Sequence, residues 1–120
     1  LLARASGAGR IIATDISKYR MDMAGKFGAD SVISAHDDLP SRLLRLNDNR
    51  LADRVIVTTG AVSALKTALK SVDRGGTALF FAPGGPDVEL PVPFNDFWRD
   101  CITLMPTYGA SPFDIEVAIN

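Results

Sequence analysis

The strongest constraint in this sequence is an alternation. Short apolar, β-branched runs take turns with longer stretches whose apolar residues recur every three or four positions, and glycines stand at most of the joints. The runs are residues 10–14 (RIIAT), 31–33 (SVI), 52–58 (ADRVIVT), 77–81 (TALFF) and 102–105 (ITLM). Such runs, bounded by turn residues, read as strands, and the periodic stretches between them read as amphipathic helices. Parallel strands need a crossover connection, and a helix supplies it, so the pattern predicts an α/β fold with helices on both faces of a parallel sheet.

The helices can be placed from their caps and stripes. Residues 1–6 read as the last turns of a helix, stopped by Gly7 and Gly9. Ser17 is the N-cap of a helix over 18–27, with Tyr19, Met23 and Phe27 as its apolar face and Gly28 as its stop. Asp38 caps the next, which has Pro40 in its first turn and Leu39, Leu43 and Leu46 as its buried stripe. Val62, Leu65, Leu69 and Val72 mark a further helix, stopped by Gly75 and Gly76. A short helix is expected over 95–99 and another from Pro112 onward. The 87–92 segment (DVELPV), from Asp87 to its end at Val92, alternates and contains proline, which suits an edge strand.

Charge and composition exclude several classes. The formal net charge is -1 and no Lys/Arg run stands out, which argues against nucleic acid and acidic membranes as partners. No apolar run approaches the roughly 18 residues of a membrane span. Cys101 is the one cysteine and His36 the one histidine, so the residues provide neither an internal disulfide nor a zinc site of usual spacing. A reducing, cytoplasmic setting is expected. The chain starts without Met in a helical stretch and ends as another begins, and is expected to be a fragment of a longer protein. Cys101 reads as a small buried hydrophobe, Phe94, Phe97 and Trp98 as packing residues, and His36 as solvated.

In parallel α/β sheets, ligands bind at the carboxyl ends of the strands. Asp15 closes the first run, at such an end, and two roles fit it. It can accept hydrogen bonds from the hydroxyls of an adenosine ribose, as an acid at the end of the second strand does in dinucleotide folds. It can equally assist Ser17 in capping the next helix. The glycines of "GAG" at 7–9 do not form a phosphate loop, because they precede a strand rather than follow one, and the third glycine of G-x-G-x-x-G is absent.

Taken together, "LLARASGAGRIIATDIS", "AGKFGADSVI", "ADRVIVTTGAVSALKTALKSVDRGGTALFFAP" and "ELPVPFNDFW" resemble the coenzyme domain of the medium-chain, zinc-type alcohol dehydrogenases, to which sorbitol and threonine dehydrogenases belong. The resemblance spans nearly the whole chain. It implies a Rossmann-type doubly wound parallel sheet that lacks its first strand and glycine loop, so that residues 1–120 are a partial dinucleotide-binding domain. The catalytic domain and its zinc ligands would lie in the missing part.

Position by position, the resemblance implies that Asp15 binds the adenosine ribose, with Arg20 near the same ribose and the adenine. Thr59 and Gly60 would form the turn that borders the cofactor. Ala82, Pro83 and Gly84 would lie beside the nicotinamide, and backbone groups at Thr107 and Tyr108 would hold its carboxamide. Arg20 also fits a solvated helix charge, Gly60 a tight turn, and Tyr108 a core or interface aromatic. The acid at position 15 would repel a 2′-phosphate and favour NAD over NADP.

The implied activity is hydride transfer between an alcohol or polyol and NAD. No catalytic residue and no metal ligand is expected within this chain, so the fragment alone would be inactive. The family also joins two coenzyme domains through an edge strand, for which 87–92 is the candidate, giving a homodimer or homotetramer; a covered loop edge is the other reading of that segment. The alternatives are the zinc-free, NADPH-using quinone reductases of the same family, an S-adenosylmethionine-dependent methyltransferase, whose sheet also places an acid after the second strand, and a non-enzymatic nucleotide-sensing or dimerising module.

Overall fold

The computed structural model describes residues 1–82 and 84–119. The chain divides into two compact units, Leu1–Ala52 and Asp53–Asn120.

The first unit runs α1 (Leu2–Ala5), β1 (Ile12–Asp15), α2 (Lys18–Lys26), β2 (Ser31–Ser34), α3 (Leu39–Leu46). β1 and β2 pair in parallel, from Ile12 opposite Ser31 to Asp15 opposite Ser34. The crossover helix α2 packs on both strands, and α3 packs on β2. Ile33 and Leu43 are the buried centre of this unit, with Leu39 and Leu46 half-buried along the expected stripe. Asp30 fastens the joint before β2. Its carboxylate accepts both Arg4 Nη2 contacts, at 2.7 and 2.6 Å, and the Ile11 N–H at 2.6 Å.

The second unit carries β3 (Ala52–Val57), α4 (Val62–Leu69), β4 (Val72–Phe80), α5 (Phe94–Arg99), β5 (Thr103–Pro106) and α6 (Pro112–Ile119). Its sheet order is β3-β4-β5, and β4 pairs with β5 in parallel, from Thr77 opposite Thr103 to Phe80 opposite Pro106. Val57, Leu65 and Ala68 form one buried cluster, and Leu69, Val72 and Phe97 another. Val88 and Leu90 pack against these clusters from the 87–92 segment.

Taken separately, β1-β2 has the order of the 2-3 pair, and β3-β4-β5 that of the 4-5-6 run, of a doubly wound sheet of order 3-2-1-4-5-6. The fold is therefore α/β of Rossmann type, with no counterpart of the first strand or its glycine loop among the described residues.

Several expectations need correction. Val72 is not in α4. The helix ends at Leu69, Ser71 folds its hydroxyl back to the Thr67 carbonyl at 2.7 Å, and Val72 starts β4. Gly75 and Gly76 are accordingly inside that strand. Gly75 has φ +69 and donates its N–H to the Asp100 carbonyl, while a Cβ on Gly76 would lie 2.6 Å from the Asp73 carbonyl oxygen. The 87–92 segment forms no strand; Pro86, Pro91 and Pro93 leave few N–H groups to offer a ladder, and Val88 spends its own on the Gly85 carbonyl.

On α2, Tyr19 and Phe27 are exposed; the covered side is that of Met21, Met23 and Ala24. On α5 only Phe97 is buried, and Phe94 and Trp98 face solvent. Cys101 is exposed rather than buried.

Cys101 also has a left-handed backbone, φ +53. It follows the C-cap Asp100 of α5, donates its N–H to the Trp98 carbonyl, and is followed by an Ile102 N–H to Phe97 carbonyl bond at 3.0 Å. That pair of bonds is a Schellman motif. Gly7 (φ +88) and Gly28 (φ +98) occupy the same position after α1 and α2.

Candidate functional site

Asp15 is the last residue of β1, and α2 begins three residues later. Its Oδ1 accepts the Ser17 N–H at 2.8 Å. Arg20 folds back from the first turn of α2, and its Nε donates to Oδ1 at 3.0 Å and Oδ2 at 2.9 Å. The Ser17 hydroxyl accepts the Arg20 N–H, which completes the cap. The Ser17 N–H, and then the Arg20 guanidinium, hold the Asp15 carboxyl below the usual carboxylate range. Asp15 and Arg20 are thus brought together, with the acid ionised at the carboxyl end of its strand.

Each carboxylate oxygen has two lone pairs. The single Arg20 Nε–H is shared between the two oxygens, and the Ile16 N–H also acts on the carboxyl. Arg20 is mostly exposed and Asp15 is 29% exposed at its side chain, so solvent reaches the carboxylate. Ser34, opposite Asp15 in the register, ends β2 on the same side, and its hydroxyl accepts the His36 N–H. Sequence reasoning missed Ser34, which only the strand register places beside the acid.

In the second unit, Thr59 and Gly60 follow β3 and lead into α4. Thr59 is exposed, and its Oγ1 accepts the Ala61 N–H at 3.3 Å; α4 has no other side-chain cap. The Val57 carbonyl accepts the N–H groups of Phe81 and Ala82, which holds the chain after β4 against the end of β3.

A half-open cleft of about 450 Å³ lies at the carboxyl ends of β4 and β5. Phe80, Phe81 and Ala82 form one side, and Pro106, Thr107, Tyr108 and Gly109 the other. The Thr107 N–H donates to the Phe80 carbonyl at 3.1 Å, extending the ladder past the last paired residues. Three expected site residues, Ala82, Thr107 and Tyr108, thus meet in one cleft. Gly84 lies just beyond, where a Cβ would stand 3.1 Å from two atoms of Val88. Pro83 lies outside the described residues.

Phe80, Phe81 and Pro106 were not singled out by sequence reasoning, which treats strand-terminal apolar residues as core. Their signal is positional: they end two adjacent parallel strands, where ligands bind. Among the described residues, no side chain lining the cleft is charged. Among the described residues there is no group of three His, Cys, Asp or Glu that could hold a metal. No described helix is long and apolar enough to cross a membrane.

Comparison with known proteins agrees with this geometry. The family model described as zinc-binding dehydrogenase matches residues 1–120. The sorbitol dehydrogenase of Bacillus subtilis (strain 168) is 37% identical over 94 residues, 77% of this chain and 27% of its own. The NADP-dependent isopropanol dehydrogenase of Thermoanaerobacter brockii is 33% identical over 92 residues, 76% of this chain and 26% of its own. A crystal structure from Clostridium scindens ATCC 35704, named for the zinc-binding dehydrogenases, superposes with a TM-score of 0.87 at 30% identity, covering 96% of this chain and 33% of that one. The chain therefore spans between about a quarter and a third of the length of these relatives. With the whole chain matched and its strand order that of a dinucleotide fold, it belongs to the zinc-binding dehydrogenase family.

Proposed function

We propose that residues 1–120 are part of the dinucleotide-binding domain of an NAD-dependent alcohol or polyol dehydrogenase, and that they bind NAD(H). Family membership removes the methyltransferase alternative. The observation that carries the reading is Asp15: an acid held ionised at the carboxyl end of a parallel strand, with its side chain in part exposed. Two ribose hydroxyls can donate to such a carboxylate, whereas a 2′-phosphate would meet its charge. Arg20 is held by Asp15, so its own charge is spent within the chain.

When bound, NAD supplies the hydride acceptor, and zinc held outside these residues supplies the Lewis acid. The chain's own residues bind and orient. In the first unit Asp15 takes the adenosine ribose, with Arg20 beside it. In the second, Thr59 and Gly60 would border the cofactor, Ala82 and Gly84 would lie beside the nicotinamide, and backbone groups at Thr107 and Tyr108 would hold its carboxamide; Pro83, expected with them, lies outside the described residues. The cleft, with no charge among its described lining side chains, has apolar walls that suit a flat ring. The chemistry so supplied would be oxidation of an alcohol to a carbonyl compound, with a hydride passing to the cofactor and a proton to solvent. These residues contribute no acid, base or nucleophile to that step, so alcohol oxidation by the 120 residues alone would overturn the assignment.

The intact protein is taken as cytoplasmic; pairing of two copies through an edge strand at 87–92 loses its support, since the segment forms no strand and Val88 and Leu90 pack on the core.

A second reading is the NADPH-using branch, and Arg20 favours it: released from Asp15, the guanidinium would suit a 2′-phosphate. Titrating the intact protein with NADH and NADPH, read by tryptophan quenching, separates the two. Tighter NADH binding is expected. Tighter NADPH binding would leave Asp15 as a helix cap and move the protein to the quinone reductase branch. Binding of neither would overturn both.

A further inference from the structure

β1 and β2 end in the same way. Asp15 is the last residue of β1, Ser34 the last of β2, and the two are partners in the parallel register. Each turns a side-chain oxygen to the N–H two residues on. Asp15 Oδ1 accepts from Ser17 at 2.8 Å, and Ser34 Oγ accepts from His36 at 3.3 Å. The Ala35 N–H donates to the Asp15 carbonyl at 3.0 Å, so the backbone holds the two strand ends together one residue past Ser34. Register partners share a face of the sheet, with their backbones about 4.8 Å apart. A carboxylate and a hydroxyl therefore stand side by side at the end of the strands where ligands bind.

Their hydrogen-bonding roles are complementary. The ionised carboxylate only accepts, whereas a serine hydroxyl also donates. Among the described residues, no acceptor takes the proton of the Ser34 hydroxyl. An oxygen that makes one hydrogen bond to each of two neighbours, at about 2.8 Å and near the tetrahedral angle, bridges groups about 4.5 Å apart. An oxygen placed between these two side chains has to donate to Asp15 and accept from Ser34. A hydroxyl can do both. A bare phosphate oxygen has no proton to give, and an ammonium has no lone pair to offer.

We propose that Ser34 is a second ligand of the adenosine ribose, with the 2′-hydroxyl seated between the two strand ends, donating to Asp15 and accepting from the Ser34 hydroxyl. The inference rests on the ribose reading of Asp15 given above, and adds to it a residue and a direction for each hydrogen bond.

The test uses the intact protein and two probes, NADH and its analogue that lacks the 2′-hydroxyl on the adenosine ribose. Their dissociation constants are read by tryptophan quenching. Ser34→Ala should weaken NADH binding about threefold to tenfold, the loss of one neutral hydrogen bond, and leave the deoxy analogue unmoved. Ser34→Thr keeps a hydroxyl on a residue suited to a strand, and should hold NADH affinity within about twofold of the parent. Melting temperatures near that of the parent would show both variants folded, as expected where the ladder is made by backbone groups.

An equal loss for NADH and the deoxy analogue in Ser34→Ala overturns the inference while NADH binding stands. So does an unchanged NADH affinity in that variant, or a threonine variant as weak as the alanine one. A parent protein that does not bind NADH overturns the inference together with the reading beneath it.

Discussion

Replacing Cys101 by glycine should stabilise the protein. Cys101 stands at the residue after the C-cap of α5, with φ +53, where its N–H and that of Ile102 close the helix on the carbonyls of Trp98 and Phe97. The L-configured Cβ makes that conformation cost about 1–2 kcal/mol, and glycine is spared it. Little is lost in exchange, because the side chain is exposed. Against the gain stands the greater freedom of glycine in the unfolded chain, about 0.5–1 kcal/mol. The net expectation is a gain of about 0.5–1 kcal/mol. For a protein of this family's size that corresponds to a rise of roughly 1–4 °C in Tm. Thermal or urea unfolding of the intact Cys101→Gly protein measures it. Cys101→Val supplies the opposite sign: a β-branched residue tolerates φ above zero less well, and a loss of about 1–2 kcal/mol is expected. A glycine variant no more stable than the parent, or a valine variant equal to it, would refute the strain argument.

The remaining predictions concern the strand interior and the carboxylates. Gly76→Ala should cost about 1–3 kcal/mol, because the methyl would lie 2.6 Å from the Asp73 carbonyl oxygen and 2.7 Å from Val72 Cγ2; an unchanged melt would show that β4 does not pass so closely there. Asp15→Ser should weaken NADH binding about tenfold to a hundredfold, the loss of a charged hydrogen-bond acceptor, and weaken NADPH binding less; equal losses for the two cofactors would count against a ribose contact. Asp30 is held below the ordinary carboxylate value, first by the Ile11 N–H and then by Arg4. A lowered folded-state value stabilises above the unfolded-state pKa of 3.8, and that contribution is lost as pH falls toward the folded value. Asp30→Asn should therefore flatten the acid side of the stability profile below about pH 4, and a profile that keeps its slope would place the acid sensitivity elsewhere.

Helix ends with glycine were legible in the sequence, and those without it were not. Gly7 and Gly28 mark the ends of α1 and α2 because a left-handed residue is cheapest as glycine. α5 ends in the same geometry at a cysteine, which no propensity rule flags, so Cys101 reads as core when it is an exposed cap. Val72 errs in the opposite way. It continues the Val62, Leu65, Leu69 spacing, whereas the Lys70 and Ser71 N–H groups tighten onto the Thr67 and Ala68 carbonyls as the chain leaves the helix. The aromatics at 19, 27, 94 and 98 carry a helical period without burial, because periodicity marks a face and not what covers it.

The site divides along the same line. Asp15 was visible because an acid ending an apolar run is unusual, yet both of its readings use the same atoms. A carboxylate at that end of a strand faces the N-terminus of the next helix, so it receives the Ser17 N–H whether or not a ribose is present. Here the Ser17 and Ile16 N–H groups act on the carboxyl from the backbone, and the Arg20 contact, shared by both oxygens, comes from a largely exposed side chain. An exposed cap also leaves lone pairs to water, so the distinction lies in whether the Arg20 contact gives way to a ribose. Arg20→Ala tests that point directly, since it keeps the Ser17 cap and removes the Arg20 contact. NADH affinity that holds or rises in this variant would mark Arg20 as a gate on the acid. A loss as large as that of Asp15→Ser would mark it as a ligand of the ribose in its own right.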